Sequence, residues 1–516
     1  MKTTRPRSLS SPETGTSPQD ASTNGAGIVS APTSAAAGNG YYANGNGTLP
    51  PDEDNAYAAA GADIAAVMLG ETADDDGNAK CAYALFGREF LYCDAYGWMH
   101  WTGTHWQGDE AEAQIDRALF AMLKQRRLTA VAAGKEALVK MTTGTARRVR
   151  DCKMAFRSLV VARVEDFDQS PDELNVANGI LNLRSGELLP HDPARRFTYC
   201  SKIPYEPEAD DSAWREFLTN AVGGGEAVID YLQMVVGYSL TGHTSEECLW
   251  YIFGPSRSGK GIFTEVLLSI LGSPLSIEVD FATFTAKREG DTQNFDLAPL
   301  KPTRLVVTSE SNRYEVLNAG KIKQLTGGNF VRAAYKHRDL FTYRPQFKAM
   351  LVSNQPVNAD VDDDALWYRV KVLEFPNGHA GNEDKTLKAR MKTAATLAGV
   401  LRWAVEGARQ WYASPVGLEH PNWVKLATKE HRSELDFVQS WLDERCEEVA
   451  GEAWIANGVL YASYDSWCKA NGVIPKALRG LLASLKGKGF AVNEQKKVDG
   501  QNCKGVIGLT LVVGKN

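Results

Sequence analysis

Residues 254–261 read Gly-Pro-Ser-Arg-Ser-Gly-Lys-Gly and follow an apolar run at 248–253. This order is typical of a phosphate-binding loop, in which a strand ends at a glycine and backbone N–H groups then point at anionic oxygens. Lys260 is placed to meet the β- and γ-phosphates, and residues 262–271 are predicted to form the helix whose N-terminus faces them. The residues expected to bind the nucleotide are Gly254, Pro255, Ser256, Arg257, Ser258, Gly259, Lys260, Gly261 and Ile262.

The loop departs from its usual pattern at one position. Gly261 stands where a Ser or Thr normally supplies a hydroxyl to Mg²⁺. Thr264, a water molecule or a second acidic group must take that role, or metal binding is weak. The expected ligands are therefore ATP and Mg²⁺, with Thr264 as one candidate for the metal shell.

Two later apolar runs end in polar side chains that suit the same chemistry. Residues 304–312 predict a buried strand that carries Glu310 near its end, and this carboxylate could orient or deprotonate the attacking water or help to hold Mg²⁺. Residues 347–354 predict a strand that ends at Asn354. Its amide could hydrogen-bond a γ-phosphate oxygen without adding negative charge, although asparagine is also common in turns.

Arg369 lies between a short helix and a further strand that are predicted within residues 360–375. A guanidinium group that a neighbouring subunit supplies can neutralise charge in the transition state of phosphoryl transfer. The preceding run of three aspartates, 362–364, is interpreted as a helix cap rather than as a metal site. The candidate catalytic residues are therefore Lys260, Glu310, Asn354 and Arg369.

Residues 321–348 form a basic segment with seven Lys or Arg and one acid, Asp339. A basic loop with an aromatic residue, here Tyr335, suits contact with a DNA backbone. A solvated surface is the alternative interpretation. The candidate DNA contacts are Lys323, Arg332, Lys336, His337 and Arg338.

The bulk composition narrows the class of protein. The formal net charge is −6, so a nucleic-acid site must be a local basic patch. Eight cysteines stand singly without a C-x-x-C pair, which argues against a zinc ribbon and against a disulfide framework. The sequence shows no secretory signal and no apolar run of about 18 residues, so we expect no membrane contact and a cytoplasmic location.

At 516 residues the chain is too long for a single core, so several domains must position these groups. Aromatic residues with intervening glycines predict a hairpin at 86–106, and a second hairpin is predicted at 174–189. The predicted domains are a disordered tail at 1–55, a helical and hairpin domain at 56–240, an ATPase core at 241–400, a helical connector at 401–433 and a winged helix at 434–516.

The order of these motifs resembles the helicase part of the phage and plasmid primase–helicase family, which is similar to superfamily 3 helicases and to poxvirus primase–helicases. The most specific stretch is 254–375, where the phosphate loop and the glutamate strand precede three short motifs. These are Leu325-Thr326-Gly327-Gly328, Ser353-Asn354-Gln355-Pro356 and Trp367-Tyr368-Arg369.

The resemblance implies a multidomain α/β protein. Its P-loop core would be AAA+-like and of the superfamily 3 type, between a mainly helical N-terminal domain and a C-terminal winged helix. The family further implies a hexameric ring with ATP between subunits and single-stranded DNA in the central channel. Glu310 would act at the acidic strand, Asn354 would be the polar sensor and Arg369 the arginine finger, while Lys336 and His337 would form the channel loop.

We therefore expect an ATP-driven DNA helicase of a phage, satellite or plasmid replication system. Its partners would be single-stranded and forked DNA, further copies of the chain, and a separate primase or polymerase. One alternative is a replication initiator that binds origin DNA and uses ATP only to assemble. A P-loop kinase or packaging ATPase is a weaker alternative because neither needs the basic segment or a winged helix. Primer synthesis would require a catalytic domain for which the N-terminal region shows no pattern, although family naming could still give a "primase" label.

Overall fold

The computed structural model of the protein describes residues 64–223, 225–285, 295–308, 316–335, 340–356, 359–379, 381, 384–449, 451, 453–498 and 500–512. The predicted disordered tail at 1–55 lies outside these ranges. So do four of the candidate site residues, which are Glu310, Lys336, His337 and Arg338.

The N-terminal part combines helices with a small antiparallel sheet of order β1-β2-β3. Trp98 is buried and stacks on Phe156, with ring centroids 5.9 Å apart. The predicted hairpin at 86–106 is confirmed and gains a third strand, and its buried tryptophan serves packing. The elements are α1 (Ile64–Gly70), α2 (Asp75–Phe86), β1 (Phe90–Cys93), β2 (Gly97–Trp101), β3 (Trp106–Gln107), α3 (Ala111–Ala132), α4 (Glu136–Met141) and α5 (Ala146–Leu159).

A second small sheet and two helices precede the phosphate loop. The antiparallel sheet of order β4-β5-β6 contains the hairpin predicted at 174–189, which turns at residues 184–186. Two helices occupy most of residues 212–240, and the first ends at Gly223, whose φ is 63°. The elements are β4 (Glu173–Val176), β5 (Gly179–Asn182), β6 (Leu188–Leu189), α6 (Ser212–Val222) and α7 (Glu226–Leu240).

The central part is built on a five-stranded sheet of order β13-β7-β12-β9-β8 in which every neighbouring pair is parallel. A separate antiparallel hairpin, β10–β11, packs against one face of it. The elements are β7 (Leu249–Phe253), α8 (Lys260–Leu271), β8 (Ser276–Val279), β9 (Leu305–Thr308), α9 (Ala319–Thr326), β10 (Val331–Ala333), β11 (Phe341–Tyr343), β12 (Lys348–Ser353), α10 (Asp364–Arg369), β13 (Val370–Glu374), α11 (Leu387–Met391) and α12 (Ala394–Ala413).

Parallel pairing gives this sheet two chemically different edges. All strands end on one side, which we call the carboxyl edge, and begin on the other, which we call the amino edge. Residues 249–252 of β7 are fully buried, as expected for a parallel strand that is covered on both faces. One face packs on apolar residues of α6, α7, α8 and α12, and the other packs on α9, α10, the hairpin and part of the N-terminal region.

In the C-terminal part, where a winged helix is predicted, two helices within residues 457–487 precede two strands within residues 491–507. The long strands β16 and β17 form an antiparallel hairpin that is joined by β15. Its assignment as a winged helix stays a prediction. The elements are α13 (Asn422–Glu434), α14 (Phe437–Arg445), β14 (Cys446–Glu448), β15 (Trp454–Ala456), α15 (Asn457–Ala470), α16 (Leu478–Gly487), β16 (Ala491–Val498), β17 (Gln501–Ile507) and β18 (Leu509–Leu511).

Candidate nucleotide-binding site

The loop between β7 and α8 is shaped by two glycines. Gly254 has φ 152°, and a Cβ there would lie 2.2 Å from the carbonyl oxygen of Phe375, so no other residue fits without moving the backbone. Gly259 has φ 92° and is the N-cap of α8. A Cβ at this position would lie 3.1 Å from the ring of Phe217 and 3.2 Å from the Cβ of Ala221, both on α6. The helix begins at Lys260, two residues earlier than predicted.

Lys260 sits inside this loop. Its Nζ donates to the carbonyl oxygen of Gly254 at 2.8 Å, to that of Pro255 at 2.7 Å and to Ser258 Oγ at 3.2 Å. The side chain is 5% exposed, and the residue lines a cleft. The ammonium group is therefore already centred at the N-terminus of α8, where an anionic ligand would be stabilised by the helix dipole.

The missing hydroxyl at position 261 is not a consequence of crowding. Among the described residues, a Cβ built at Gly261 meets no atom within 4 Å. Thr264 lies one turn along the helix, is buried, and donates back to the carbonyl oxygens of Lys260 at 3.2 Å and Gly261 at 3.3 Å. Its hydroxyl must leave these acceptors to reach a metal ion, so the role of Thr264 in the Mg²⁺ shell stays a prediction.

The carboxyl edge brings the ends of neighbouring strands to the same place. Ser353 of β12 pairs with Phe253 of β7, so Asn354 follows at the level of the phosphate loop. Thr308 ends β9 on the other side of β12, and its buried Oγ1 has no hydrogen-bond partner among the described residues. Lys260, Thr264, Thr308 and Asn354 all line one cleft of about 1310 Å³.

We call this space the nucleotide cleft. Besides the loop and the strand ends, it has a second wall from α6, α11 and the segment after β13. Asn377 Nδ2 donates to the carbonyl oxygen of Asn220 at 2.9 Å, and the His379 N–H donates to that of Arg257 at 3.2 Å. No motif marks this wall in the sequence, because its residues lie far before and after the loop. Its polar members include Glu216, Asn220, His379, Asp384, Lys388 and Arg390.

The cations of this second wall are held by acids. Glu265 of α8 accepts hydrogen bonds from Lys388 at 2.7 Å and from Lys392 at 2.6 Å. Burial alone would raise the pKa of Glu265, but these two lysines hold it below its ordinary value. Arg390 pairs with Asp384 at 2.9 Å. Each of these three cations therefore has an acidic partner.

Arg369 lies at the other edge of the sheet. It ends α10 immediately before β13, whose first residue Val370 pairs with Leu249 at the start of β7. Its Nη2 is 2.7 Å from Glu247 Oε2, and its Nη1 donates to the carbonyl oxygen of Ala365 at 3.0 Å. Because the loop follows the end of β7, Arg369 does not join the cleft of its own chain.

The aspartate run caps α10 as predicted. Asp363 accepts the N–H of Leu366 at 3.0 Å, and both of its carboxylate oxygens lie within 2.9 Å of Lys323 Nζ. The hydrogen bond from Lys323 is the main cause that lowers the pKa of Asp363. Lys323 was a candidate DNA contact. The structure places it in this ion pair, and contact with DNA stays a prediction.

The hairpin β10–β11 presents Arg332 to solvent while Val331 and Ala333 on either side are buried. Tyr335, the aromatic residue expected to support DNA contact, packs its ring 5.8 Å from that of Tyr96 and donates its hydroxyl to the Ala298 carbonyl oxygen at 3.2 Å. It therefore anchors the base of the hairpin.

The described part of the chain contains no group of three or more His, Cys, Asp or Glu side chains arranged to hold a metal ion. Within the same residues, no helix is both long and apolar enough to cross a membrane. All eight cysteines are free thiols.

The fold and the cleft define a mixed α/β protein with a parallel sheet and a candidate phosphate site at its carboxyl edge. Residues 79–223 match the family model described as "D5 N terminal like". Residues 252–369, which hold the loop and Arg369, match a family of unknown function, DUF5906. The first match ends before β7, and the second begins within it.

Two curated viral proteins are similar to this chain. "Putative helicase L207/L206" of Acanthamoeba polyphaga mimivirus is 24% identical over 337 residues, which cover 61% of this chain and 35% of that protein. "Putative helicase 022R" of Frog virus 3 (isolate Goorha) is 23% identical over 287 residues, with coverage of 51% and 28%. The chain thus spans about a third of the length of these relatives.

Among solved structures, the apo C-terminal region of NrS-1 (305-718) is similar to this chain at 11% sequence identity and a TM-score of 0.40. The match covers 66% of this chain and 83% of the NrS-1 chain. This likeness is too low to establish a shared fold. The family models and the viral relatives together confirm that the chain resembles a primase–helicase family, as the order of its motifs predicted.

Proposed function

We propose that the protein is an ATP-driven DNA helicase of a phage, satellite or plasmid replication system. The observation that carries this proposal is the position of Lys260, centred in a glycine-bounded loop and sharing one cleft with Asn354. The names of the viral relatives support the helicase class. The basic hairpin segment supports DNA as the substrate on which the motor acts.

ATP would bind with its phosphates at the N-terminus of α8. Lys260 would exchange the carbonyl oxygens of Gly254 and Pro255 for the β- and γ-phosphate oxygens, which is a short displacement within the loop. Asn354 would donate to a γ-phosphate oxygen, and Glu310 would position the attacking water. Thr264 and Glu310 are the residues that would hold Mg²⁺, which supplies charge neutralisation of the phosphates when bound.

The position of Arg369 supports an oligomer in which each ATP site is formed by two neighbouring subunits. Because it lies at the amino edge, it can act only on a nucleotide held by another copy of the chain, as in a ring of subunits. A hexamer with single-stranded DNA in its centre is the expected form. Arg332 and the adjacent Lys336, His337 and Arg338 would contact the DNA backbone, and their movement during hydrolysis would draw one strand through the ring.

The direct test compares wild type with Lys260→Ala in DNA-stimulated ATP hydrolysis and in unwinding of a forked duplex. Loss of the ammonium group should lower both activities by about 10²- to 10³-fold. Lys80→Ala is a control, because Lys80 forms an exposed ion pair with Asp76 on α2, away from the cleft. Unwinding that survives in Lys260→Ala would remove this mechanism.

A second candidate function is a replication initiator that binds origin DNA and uses ATP only to assemble. It is favoured by the C-terminal order of two helices and a strand pair, together with eight Lys or Arg against two acids in residues 469–504. The Glu310→Gln variant separates the two functions. If the variant still binds origin DNA but no longer unwinds a duplex, the protein is a motor. If the variant still supports initiation of replication as well as wild type, the initiator is supported.

A further inference from the structure

Helices α9 and α10 are joined at their exposed rim by the ion pair between Lys323 and Asp363. The Lys323 Nζ lies 2.9 Å from Asp363 Oδ1 and 2.8 Å from Oδ2. The same carboxylate caps α10 by accepting the N–H of Leu366. One aspartate therefore fixes the start of α10 and the side of α9 at once.

The two helices lead to different functional parts. Helix α9 ends at Gly327-Gly328 and continues into the hairpin that carries Arg332. Helix α10 ends in Arg369, the candidate arginine finger. Their far ends are also close, because a Cβ at Gly327 would lie 3.8 Å from Arg369 Nη2.

Beneath the ion pair the helices share an apolar contact region. Ile322 and Leu325 of α9 and Leu366 of α10 are all buried in the same core cluster, together with Val331 at the start of the hairpin. These apolar contacts hold the helices side by side, and because the hydrophobic effect is not directional they specify the position along the helix axes less sharply than a charged hydrogen bond does. The ion pair adds a fixed point along the helix axes, at a place where Lys323 is 36% exposed.

We infer that Lys323 is a positioning residue that ties the arginine-finger helix to the hairpin helix, so that a displacement of Arg369 at a neighbouring nucleotide moves the hairpin. This inference rests on the proposed motor function. It assigns Lys323 a partner within the chain in place of a DNA phosphate. As a partly exposed pair, it contributes little to folding stability, and its loss should affect coupling before it affects the fold.

A double-mutant cycle tests the inference. The variants are Lys323→Ala, Asp363→Asn and the double variant, and asparagine is chosen because it keeps the helix cap while it removes the charge. The measured quantity is the number of base pairs unwound per ATP hydrolysed. Each single variant should lower this ratio by about three- to tenfold, and the double variant should be no worse than either single one.

Four further measurements would reveal a purely structural or a DNA-binding role of Lys323. Lys323→Arg should keep the ion pair and unwind at close to the wild-type ratio, and thermal unfolding should show that every variant is folded. The control Lys80→Ala removes a comparable Lys–Asp pair at 2.7 Å and should change nothing. Affinity for single-stranded DNA, measured at several salt concentrations, should be the same in Lys323→Ala and in wild type.

The inference is overturned if the effects of the two single variants add in the double variant, or if both singles unwind as well as wild type. It is also overturned if Lys323→Ala weakens single-stranded DNA binding and lowers the salt slope by about 1, which is the signature of a phosphate contact. Failure of the motor itself is distinguishable, because wild type would then show no ATP-dependent unwinding at all.

Discussion

The two edges of the parallel sheet each bury a lysine whose ammonium group donates to backbone carbonyl oxygens. At the carboxyl edge, Lys260 is 5% exposed and lines the nucleotide cleft. At the amino edge, Lys348 is 2% exposed and donates to the carbonyl oxygens of Thr241 and of Gln346, the latter at 3.0 Å. Burial lowers the pKa of Lys348 well below its ordinary value.

The difference lies in what surrounds the two groups. Lys348 is almost completely buried, and Thr241 and His243 in the segment before β7 supply two of its carbonyl acceptors. Lys260 has carbonyl acceptors on one side and an open cleft on the other. Arg369 at the amino edge is likewise held by Glu247 of its own chain. The lysine at the carboxyl edge therefore borders a cleft, whereas Lys348 and Arg369 at the amino edge are held by groups of their own chain.

The strongest test of this division removes the guanidinium group at the amino edge. Arg369→Ala should lower ATP hydrolysis by about 10³-fold, because an arginine finger neutralises transition-state charge, while nucleotide binding to the cleft of the same chain is retained. Steady-state hydrolysis and equilibrium binding of a fluorescent ATP analogue measure the two quantities. Equal loss of binding and hydrolysis would contradict the separation of the edges.

Mixed assemblies provide the control for that prediction. Arg369→Ala and Lys260→Ala chains should each be inactive alone, but a mixture would create some interfaces in which an intact Lys260 faces an intact Arg369. Partial recovery of hydrolysis on mixing is expected if the two residues act across an interface. A mixture as inactive as its components would place both residues in one subunit's site.

The next largest effect is expected at the end of β12. Asn354→Ala should lower the rate of hydrolysis by about 10²-fold if, as proposed, its amide donates to the γ-phosphate. Asn354→Asp should be at least as harmful, since a carboxylate there would repel the phosphate. Single-turnover hydrolysis with saturating ATP measures the chemical step. If the aspartate variant matched wild type, the polar-sensor role would be wrong.

A gain of function is expected at Gly261, where an added side chain meets open space among the described residues. Gly261→Ser supplies the hydroxyl that a phosphate loop normally offers to Mg²⁺. The Mg²⁺ concentration for half-maximal hydrolysis should fall several-fold, as a magnesium titration at fixed ATP would show. Gly261→Ala is the matched control and should leave this concentration unchanged. A serine variant that behaves like the alanine variant would mean that the metal lies elsewhere.

The smallest effect concerns stability at the amino edge. Asp172 accepts hydrogen bonds from Tyr412 and His243, each at 2.6 Å. Burial would raise the pKa of Asp172, but these bonds and one from Arg184 outweigh it and bring the pKa to about 2. The stabilisation is thus complete above the unfolded-state value of about 3.9 and is lost as the pH falls towards 2.

Asp172→Asn should therefore lower the free energy of unfolding by about 1 kcal/mol near neutral pH, a figure reduced because the carboxylate is partly exposed. The gap between variant and wild type should narrow as the pH falls below 4. Urea unfolding at a series of pH values measures it, with ATP hydrolysis expected to be unchanged. A gap that is constant over pH would show that the charge on Asp172 is not the cause.

Local sequence was sufficient for the parts of the site whose geometry is set within a few residues. Positions 254 and 259 require glycine because φ is positive and neighbouring atoms leave little room for a Cβ. Glycine is recognised directly in the sequence, so these positions could be predicted. The position of Asn354 beside the loop followed from two apolar runs, because parallel strands end at one edge. The capping role of Asp363 followed in the same way from its place before a short helix.

Other features could not be predicted because their partners are distant in the chain. Glu216 and Asn220 belong to the nucleotide cleft only because α6 packs on Gly259, and no pattern around residue 216 indicates this. Lys323 and Asp363 are 40 residues apart. Tyr335 looked suited to DNA, yet a contact with Tyr96, from the N-terminal sheet, makes it an anchor.

The sequence by itself determined the phosphate loop, the alternation of strands and helices around it, and the family that the chain resembles. These depend on backbone sterics and on periodicity, which act over a few residues. Only the tertiary structure decided that Arg369 faces away from its own cleft and that Lys323 already has an acidic partner. Those outcomes depend on which strand ends share an edge and which helices pack together, and burial of apolar surface selects such arrangements over the whole chain.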